Sequence, residues 1–197
     1  MKTINENTSY KIIINKSKFI CKLYKVNDEN EIKSILNDLK IEYKDATHIC
    51  YGYRLINKEK CSDDGEPSGT AGLPILNILE ANALINVLCT VIRYFGGVKL
   101  GSGGLIRAYS NCAKEGINHS SIFEIVEGYE IKIEFSYENV KQIDYLLKNT
   151  EIVLKEFLDS IIYTIKIEKD NYDGFIKQIN NTCLNYKIIK RCYIRKY

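Results

Sequence analysis

The 197-residue sequence contains no apolar run of the ~18–20 residues that a bilayer-spanning helix needs, which argues against a helical membrane protein. Its opening, Met1 to Tyr10, lacks the apolar core and small-residue cleavage site of a secretory leader, so a cytoplasmic chain is expected. The seven cysteines are odd in number and scattered singly, with no C-x-x-C and no Cys/His pair at zinc spacing. Reduced, mostly buried thiols are therefore expected rather than a disulfide framework or a zinc site. An excess of charge is missing too, since 28 basic residues face 25 acidic ones for a net +3. Composition alone does not make this a polycation that grips nucleic acid. One basic cluster lies near the end of the sequence (Lys187, Lys190, Arg191, Arg195, Lys196), and a solvated edge strand with charged blockers explains it as well as nucleic-acid binding does.

Proline is scarce, and both prolines lie between Cys61 and Tyr109, together with eight of the twelve glycines. Around that stretch the periodicities are ordinary. Residues 8–14 and 18–26 are β-rich and flank the polar break Asn15-Lys16-Ser17, as a hairpin would. Asp28-x-x-Glu31 has the form of a capping box, and Ile32, Ile35, Leu36 and Leu39 follow at helical spacing to about Lys40. Thr47 to Ile56 reads as a strand, in which His48 is a structural histidine without a visible partner. Residues 58–72 read as a loop, with Pro74 in the first turn of the next helix. Asn86 to Tyr94 is nearly all apolar, as in a central strand. A second glycine loop, 95–104, precedes a helix marked by Leu105, Ala108, Tyr109, Cys112 and Ala113.

From Gly128 the texture changes. Tyr129, Ile131, Ile133 and Phe135 alternate with charged residues, Val140 to Leu147 has a helical apolar face, and 152–158 and 160–168 read as strands. A helix through Tyr172, Phe175, Ile176 and Ile179 and a strand over 187–194 complete the order β-α-β-β-α-β, the split βαβ of ferredoxin-like folds. The expected class is α+β, with domains over 1–125 and 126–197 joined within 121–128.

Two loops carry the candidate chemistry. Gly96-Gly97-Val98-Lys99-Leu100-Gly101-Ser102-Gly103-Gly104 leads from a strand into a helix, where unpaired N–H groups and the helix dipole favour an anion. Arg93, Lys99 and Arg107 add charge around it. A P-loop would need Lys followed by Ser or Thr after Gly101, and a dinucleotide fingerprint would need glycine at Ile106, so neither is present. Ser62-Asp63-Asp64-Gly65-Glu66-Pro67-Ser68-Gly69-Thr70 sets three acids and two hydroxyls together. It lacks calcium-loop spacing, and Glu66 stands where a nucleophile elbow around Ser68 would need glycine. Its carboxylates either cap turns and helix starts or meet a ligand. The expected binding surface is Asp63, Asp64, Glu66, Ser68, Thr70, Arg93, Lys99, Ser102 and Arg107, with no catalytic residue, metal or cofactor assigned.

Taken together, S-D-D-G-E-P-S-G-T-A-G-x-P over Ser62–Pro74 and R-Y-F-G-G-x-K-L-G-x-G-G-L-x-R-A-Y over Arg93–Tyr109 resemble the signature of the YigZ/IMPACT family. The second half is similar to the C-terminal domain of its bacterial, two-domain members. The resemblance implies an N-terminal domain like domain 2 of ribosomal protein S5 and a C-terminal ferredoxin-like domain similar to domain V of elongation factor G. Eukaryotic relatives carry a further interaction domain and regulate translation by binding the activator of a starvation-responsive initiation-factor kinase; RNA or ribosome binding has been proposed for bacterial ones. The resemblance thus favours a non-enzymatic protein that contacts RNA, the ribosome or a translation factor. Two alternatives stay open. One is an enzyme of the small-molecule kinase class that shares the S5-like fold, with Asp63, Asp64 and Glu66 near nucleotide and magnesium. The other is a regulator that binds a protein partner through its C-terminal domain.

Overall fold

The computed structural model describes residues 1–196. The chain forms two compact units, Met1–Phe123 and Glu124 onward. Both are α+β, the class that the periodicities and the resemblance imply. No helix among the described residues is long and apolar enough to cross a membrane.

In the first unit a short strand β1 (Lys2–Ile4) leads to β2 (Thr8–Ile14) and β3 (Ser17–Lys25). Asn15 and Lys16 join these two with φ of 46° and 65°, the left-handed pair of a type I′ turn, whose twist suits a two-residue hairpin. Helix α1 (Glu29–Glu42) starts at Asp28, whose carboxylate accepts from the N–H of Asn30 and Glu31 at 2.8 and 3.0 Å. The returning Glu31 carboxylate accepts from the N–H of Asn27, one residue before the cap. The helix runs two residues past Lys40, because Tyr43 N–H still reaches the Leu39 carbonyl. Strand β4 (His48–Leu55) then pairs with β5 (Lys58–Ser62). Residues 58–62 thus form an edge strand and not the start of the loop; their alternating charges hid the extended backbone, which the Tyr51–Leu55 ladder imposes.

Helix α2 (Gly72–Ala81), strand β6 (Val87–Tyr94) and helix α3 (Gly101–Asn118) complete the unit. The antiparallel sheet has the order β2-β3-β6-β4-β5. Helices α2 and α3 cover one face, where Phe19, Cys21, Leu23, Cys89 and Val91 meet Ile75, Leu79, Leu105, Tyr109 and Cys112. Helix α1 covers part of the other, over Tyr53, Leu88 and Ile92. This explains the unbroken apolar run of β6, which is buried on both faces. Helix α3 begins inside the second glycine loop, so Ser102, Gly103 and Gly104 form its first turn.

The second unit holds β7 (Ile122–Phe135), a 3-10 turn (Tyr137–Asn139), α4 (Val140–Leu146), β8 (Glu151–Phe157), β9 (Ile161–Glu168), α5 (Lys169–Ile179) and β10 (Cys183–Arg195). Its antiparallel order β10-β7-β9-β8 is the ferredoxin-like arrangement. Ile131, Ile133 and Phe135 of β7 and Ile161, Tyr163, Ile165 and Ile167 of β9 face Ile143, Leu147, Phe175 and Ile179. Strand β10 starts at Cys183, four residues before the apolar alternation suggests, because Cys183 pairs with Phe135 at the far end of β7.

Helix α3 lies against β3 where Gly116 leaves room. A Cβ at that position would stand 2.4 Å from Cys21 Sγ and 3.2 Å from its Cβ. Gly116→Ala is expected to lower the free energy of unfolding by about 1–3 kcal/mol, the range for overpacking a tight core. Urea denaturation checks this, and unchanged stability would contradict so close an approach.

Candidate functional site

The first loop is organised by its own carboxylates. Asp63 Oδ1 accepts from the N–H groups of Ala71 and Gly72 at 3.0 and 2.8 Å, and Oδ2 from Gly69 N–H at 2.9 Å. One side chain thereby satisfies donors at the start of α2, whose N-cap residue Ala71 has no side chain able to do so. Burial works against this carboxyl's charge, but the three N–H groups outweigh it and hold its pKa below the ordinary 3.8. Asp64 adopts φ 44° and Gly65 φ 85°, so the chain turns sharply here. Asp64 Oδ2 accepts from Ile49 N–H at 2.6 Å and its carbonyl from His48 Nδ1 at 2.8 Å. Thr70 Oγ1 donates to the Pro67 carbonyl at 2.6 Å.

Glu66 is the third acid, and it points inward. Its side chain is 3% exposed and that of Arg93 6%. Oε1 accepts from the Arg93 guanidinium at 2.5 Å and from the Tyr109 hydroxyl at 2.8 Å. Arg93 ends β6 in a cross-strand row, with Phe19 of β3 on one side and His48 of β4 on the other. Its guanidinium carbon lies 5.4 and 5.5 Å from the ring centroids of Phe19 and Phe95. His48 Nε2 stands 3.9 Å from Glu66 Oε2. Beneath them the Cys50 thiol lies 3.4 Å from the Tyr109 oxygen and 3.0 Å from the Asp63 carbonyl. Burial pushes that thiol up to about 12, so it is a neutral donor and not a nucleophile. Burial likewise raises the Tyr109 hydroxyl, first of all, and the neighbouring Cys50 and Glu66 add to it.

The second loop is fastened by backbone. Phe95 N–H donates to Thr47 Oγ1 at 2.9 Å and Gly96 N–H to Ser17 Oγ at 3.1 Å. A Cβ on Gly96 would fall 2.0 Å from the Lys16 carbonyl carbon, so the loop lies directly on the hairpin turn. Beyond this anchor the loop opens. Added Cβ atoms at Gly97 and Gly101 would meet nothing within 4 Å, and one at Gly103 only an Arg107 nitrogen at 3.7 Å. Lys99, Ser102 and Arg107 are exposed. The first turn of α3 receives no side-chain cap, since Leu100 occupies the cap position. Alongside runs an open groove of about 620 Å³, with Ile14, Ile78 and Leu100 among its apolar lining and Asn15, Arg107 and Lys114 among its polar groups.

The nine residues expected at the site therefore divide. Asp63, Asp64, Glu66, Thr70 and Arg93 are engaged in internal bonds, and the last three of these are buried. Ser68 is exposed, Arg107 lines the groove, and Lys99 and Ser102 are exposed just before and at the start of α3. The roots of the two loops meet at the Arg93–Glu66 pair, and the groove is lined from the second loop, α2, α3 and the hairpin turn. Sequence reasoning left Tyr109, Cys50 and Lys114 out of the site and read His48 as structural without a visible partner, whereas the fold sets it against the Asp64 carbonyl and near Glu66. A tyrosine at a buried helix position needs a partner for its hydroxyl, and that was the available signal for Tyr109. The pairing of His48 with Arg93 depends on strand register, which a single sequence does not display.

Residues 15–117 match the Impact N-terminal domain family. The chain is 38% identical over 173 residues to the IMPACT family member YvyE of Bacillus subtilis, covering 86% of this chain and 78% of that protein. It is 30% identical over 139 residues to the IMPACT family member YigZ of Escherichia coli, covering 68% of each. A crystal structure described as that of a hypothetical protein superposes with a TM-score of 0.66 at 24% identity, covering 91% of both chains.

Two outcomes follow from the buried network. Glu66→Ala leaves the Arg93 guanidinium buried and unpaired and is expected to cost about 3–5 kcal/mol. The double variant Glu66→Leu/Arg93→Met should be less damaging than Glu66→Ala, and a thermal-denaturation cycle reads the difference; simple additivity would contradict the pairing. Asp63 acts in a separate pH window. Because its folded-state pKa is lowered, its contribution is present above the ordinary carboxylate value and is lost as pH falls below about 3.8. The stability gap between the wild type and Asp63→Asn should narrow over that acid range when unfolding is measured from pH 6 downward.

Proposed function

The chain belongs to the IMPACT family, and from that premise we propose that it is a translation-linked binding protein that holds RNA phosphates in the groove beside α3. The observation that carries this reading is the exposed set Lys99, Ser102 and Arg107 around the uncapped first turn of an eighteen-residue helix. The unpaired N–H groups there favour an anion. The glycines leave backbone open to solvent, so a phosphate can approach without meeting a Cβ. Lys114, further along the same helix, extends the charge along the groove. Ile14, Ile78 and Leu100 offer apolar contact to a ribose or an unstacked base. The small net charge fits a local contact better than polycation-like coating of RNA.

The buried knot supports this division of labour. A kinase-like reading calls on Asp63, Asp64 and Glu66 for magnesium. Asp63 is occupied by three backbone donors, Asp64 by Ile49 N–H, and Glu66 by Arg93 and Tyr109. In the proposed protein these residues hold the loops in place, and the exposed cations touch the RNA. Arg93 is therefore a poor choice for a binding variant, since its loss perturbs the fold.

The test is ribosome co-sedimentation at about 50 and 200 mM salt, together with filter binding to purified ribosomal RNA. Lys99→Ala/Arg107→Ala should weaken binding roughly tenfold or more and reduce the salt slope by about one for each phosphate that the variant no longer neutralises. Circular dichroism should stay unchanged. Affinity and salt slope indifferent to both substitutions would overturn the proposal.

A further inference from the structure

Strand β10 hydrogen-bonds to β7 along one side, and among the described residues its other side pairs with no strand. Its ends are tied down, since Cys183 packs on the core of the second unit and Ile194 is 5% exposed. Between them, every residue from Leu184 to Arg191 is exposed. Leu184 is 67% exposed, Tyr186 39%, Ile188 42% and Ile189 47%. A long edge with this much apolar surface presents open backbone donors and acceptors to any extended chain.

Charge selects the chain. Residues 183–195 contain no acid, while Lys187, Lys190 and Arg191 lie in the exposed run. Lys190 is paired with Glu130 of β7 at 3.3 Å yet stays 62% exposed, Lys187 makes no ion pair among the described residues, and Arg191 lies close enough to Glu127 to help hold that carboxyl's pKa down. Antiparallel addition of a second β10 would bring these cations together, and like charges on facing strands are destabilising. The sheet's opposite edge, β8, differs. Its acids Glu151 and Glu156 are neutralised by Lys166 and Lys132 at 2.5 and 3.1 Å. The uncompensated charge on β10 is thus that of Lys187, next to the exposed Lys190 and exposed apolar side chains. Register shifts at Cys183/Asn185 and Ile188/Lys190 break the ladder, so the cations and bulges that discourage self-pairing also define what is admitted.

We propose that the outer edge of β10 is a strand-addition site for an extended acidic segment of a protein partner, one in which Asp or Glu alternates with apolar residues. The partner's backbone extends the sheet, its carboxylates meet Lys187 and Lys190, which the register sets on one face beside Lys132 and Glu130, and its apolar side chains cover Tyr186 and Ile188 on the other. This surface is independent of the groove beside α3, so either can fail alone.

The experiment uses the full chain and a fluorescein-labelled eight-residue peptide of alternating Glu and Val, followed by anisotropy. Binding is expected, at least tenfold weaker for Lys187→Glu/Lys190→Glu, and unchanged for Lys99→Ala/Arg107→Ala. Methylating alternate peptide nitrogens should also weaken it at least tenfold, a loss that charge attraction alone would not produce. Equal binding of a Lys–Val peptide overturns the proposal, as does indifference to methylation. So does a uridine oligonucleotide that binds in place of the peptide and is lost in the Glu variant, or a dimer in sedimentation abolished by those same substitutions.

Discussion

Burying a carboxylate beside a guanidinium strips both of water, and the arrangement survives only where each finds enough partners. Glu66 meets that condition through Arg93 and Tyr109, with His48 nearby, while Arg93 has Glu66 and the Phe19 and Phe95 rings and keeps its buried Nε without a hydrogen-bond partner among the described residues. Five elements converge on this pair: the start of β3, the end of β6, the start of β4, the middle of α3 and the loop before α2. The acidic loop cannot lift away without exposing the pair, and α3 cannot rotate without withdrawing the Tyr109 hydroxyl. The conspicuous motif residues are thus largely devoted to fastening loops. The surface available for recognition is what those fastenings leave outside.

Much of the architecture was legible in the sequence because it follows from periodicity. Alternation in 129–135 and 161–167, helical spacing in 32–39 and the all-apolar β6 each indicate their element directly. The glycine loop's helical first turn was not legible, since Ser102, Gly103 and Gly104 have weak helix propensity and are held by the docking of Leu105, Ala108 and Tyr109 behind them. Strand β5 was hidden for the related reason that an edge strand of alternating Lys and Glu looks like any polar segment. At the site, the sequence showed residue types but not directions. Asp63 and Glu66 are equally acidic on paper; one faces backbone donors, the other a buried arginine, and only the fold distinguishes these from a ligand.

The division between engaged and exposed residues also orders the electrostatics of the first unit. In its acidic loop, Asp63 and Glu66 are turned toward the protein's own donors, while Asp64 stays exposed with one oxygen on Ile49 N–H. The cations of the second loop are not neutralised by that loop. A nearly neutral chain can in this way maintain a locally positive groove.

The seating of Gly96 on the Lys16 backbone has a consequence for how such a groove can diversify. Where two segments touch main chain to main chain, their spacing does not depend on any side chain along the rim. Arg107 and Lys114 are then free to change in size and charge while the frame that carries them keeps its dimensions. The groove behaves as a fixed socket with replaceable lining, able to be retuned for different anionic partners without being rebuilt.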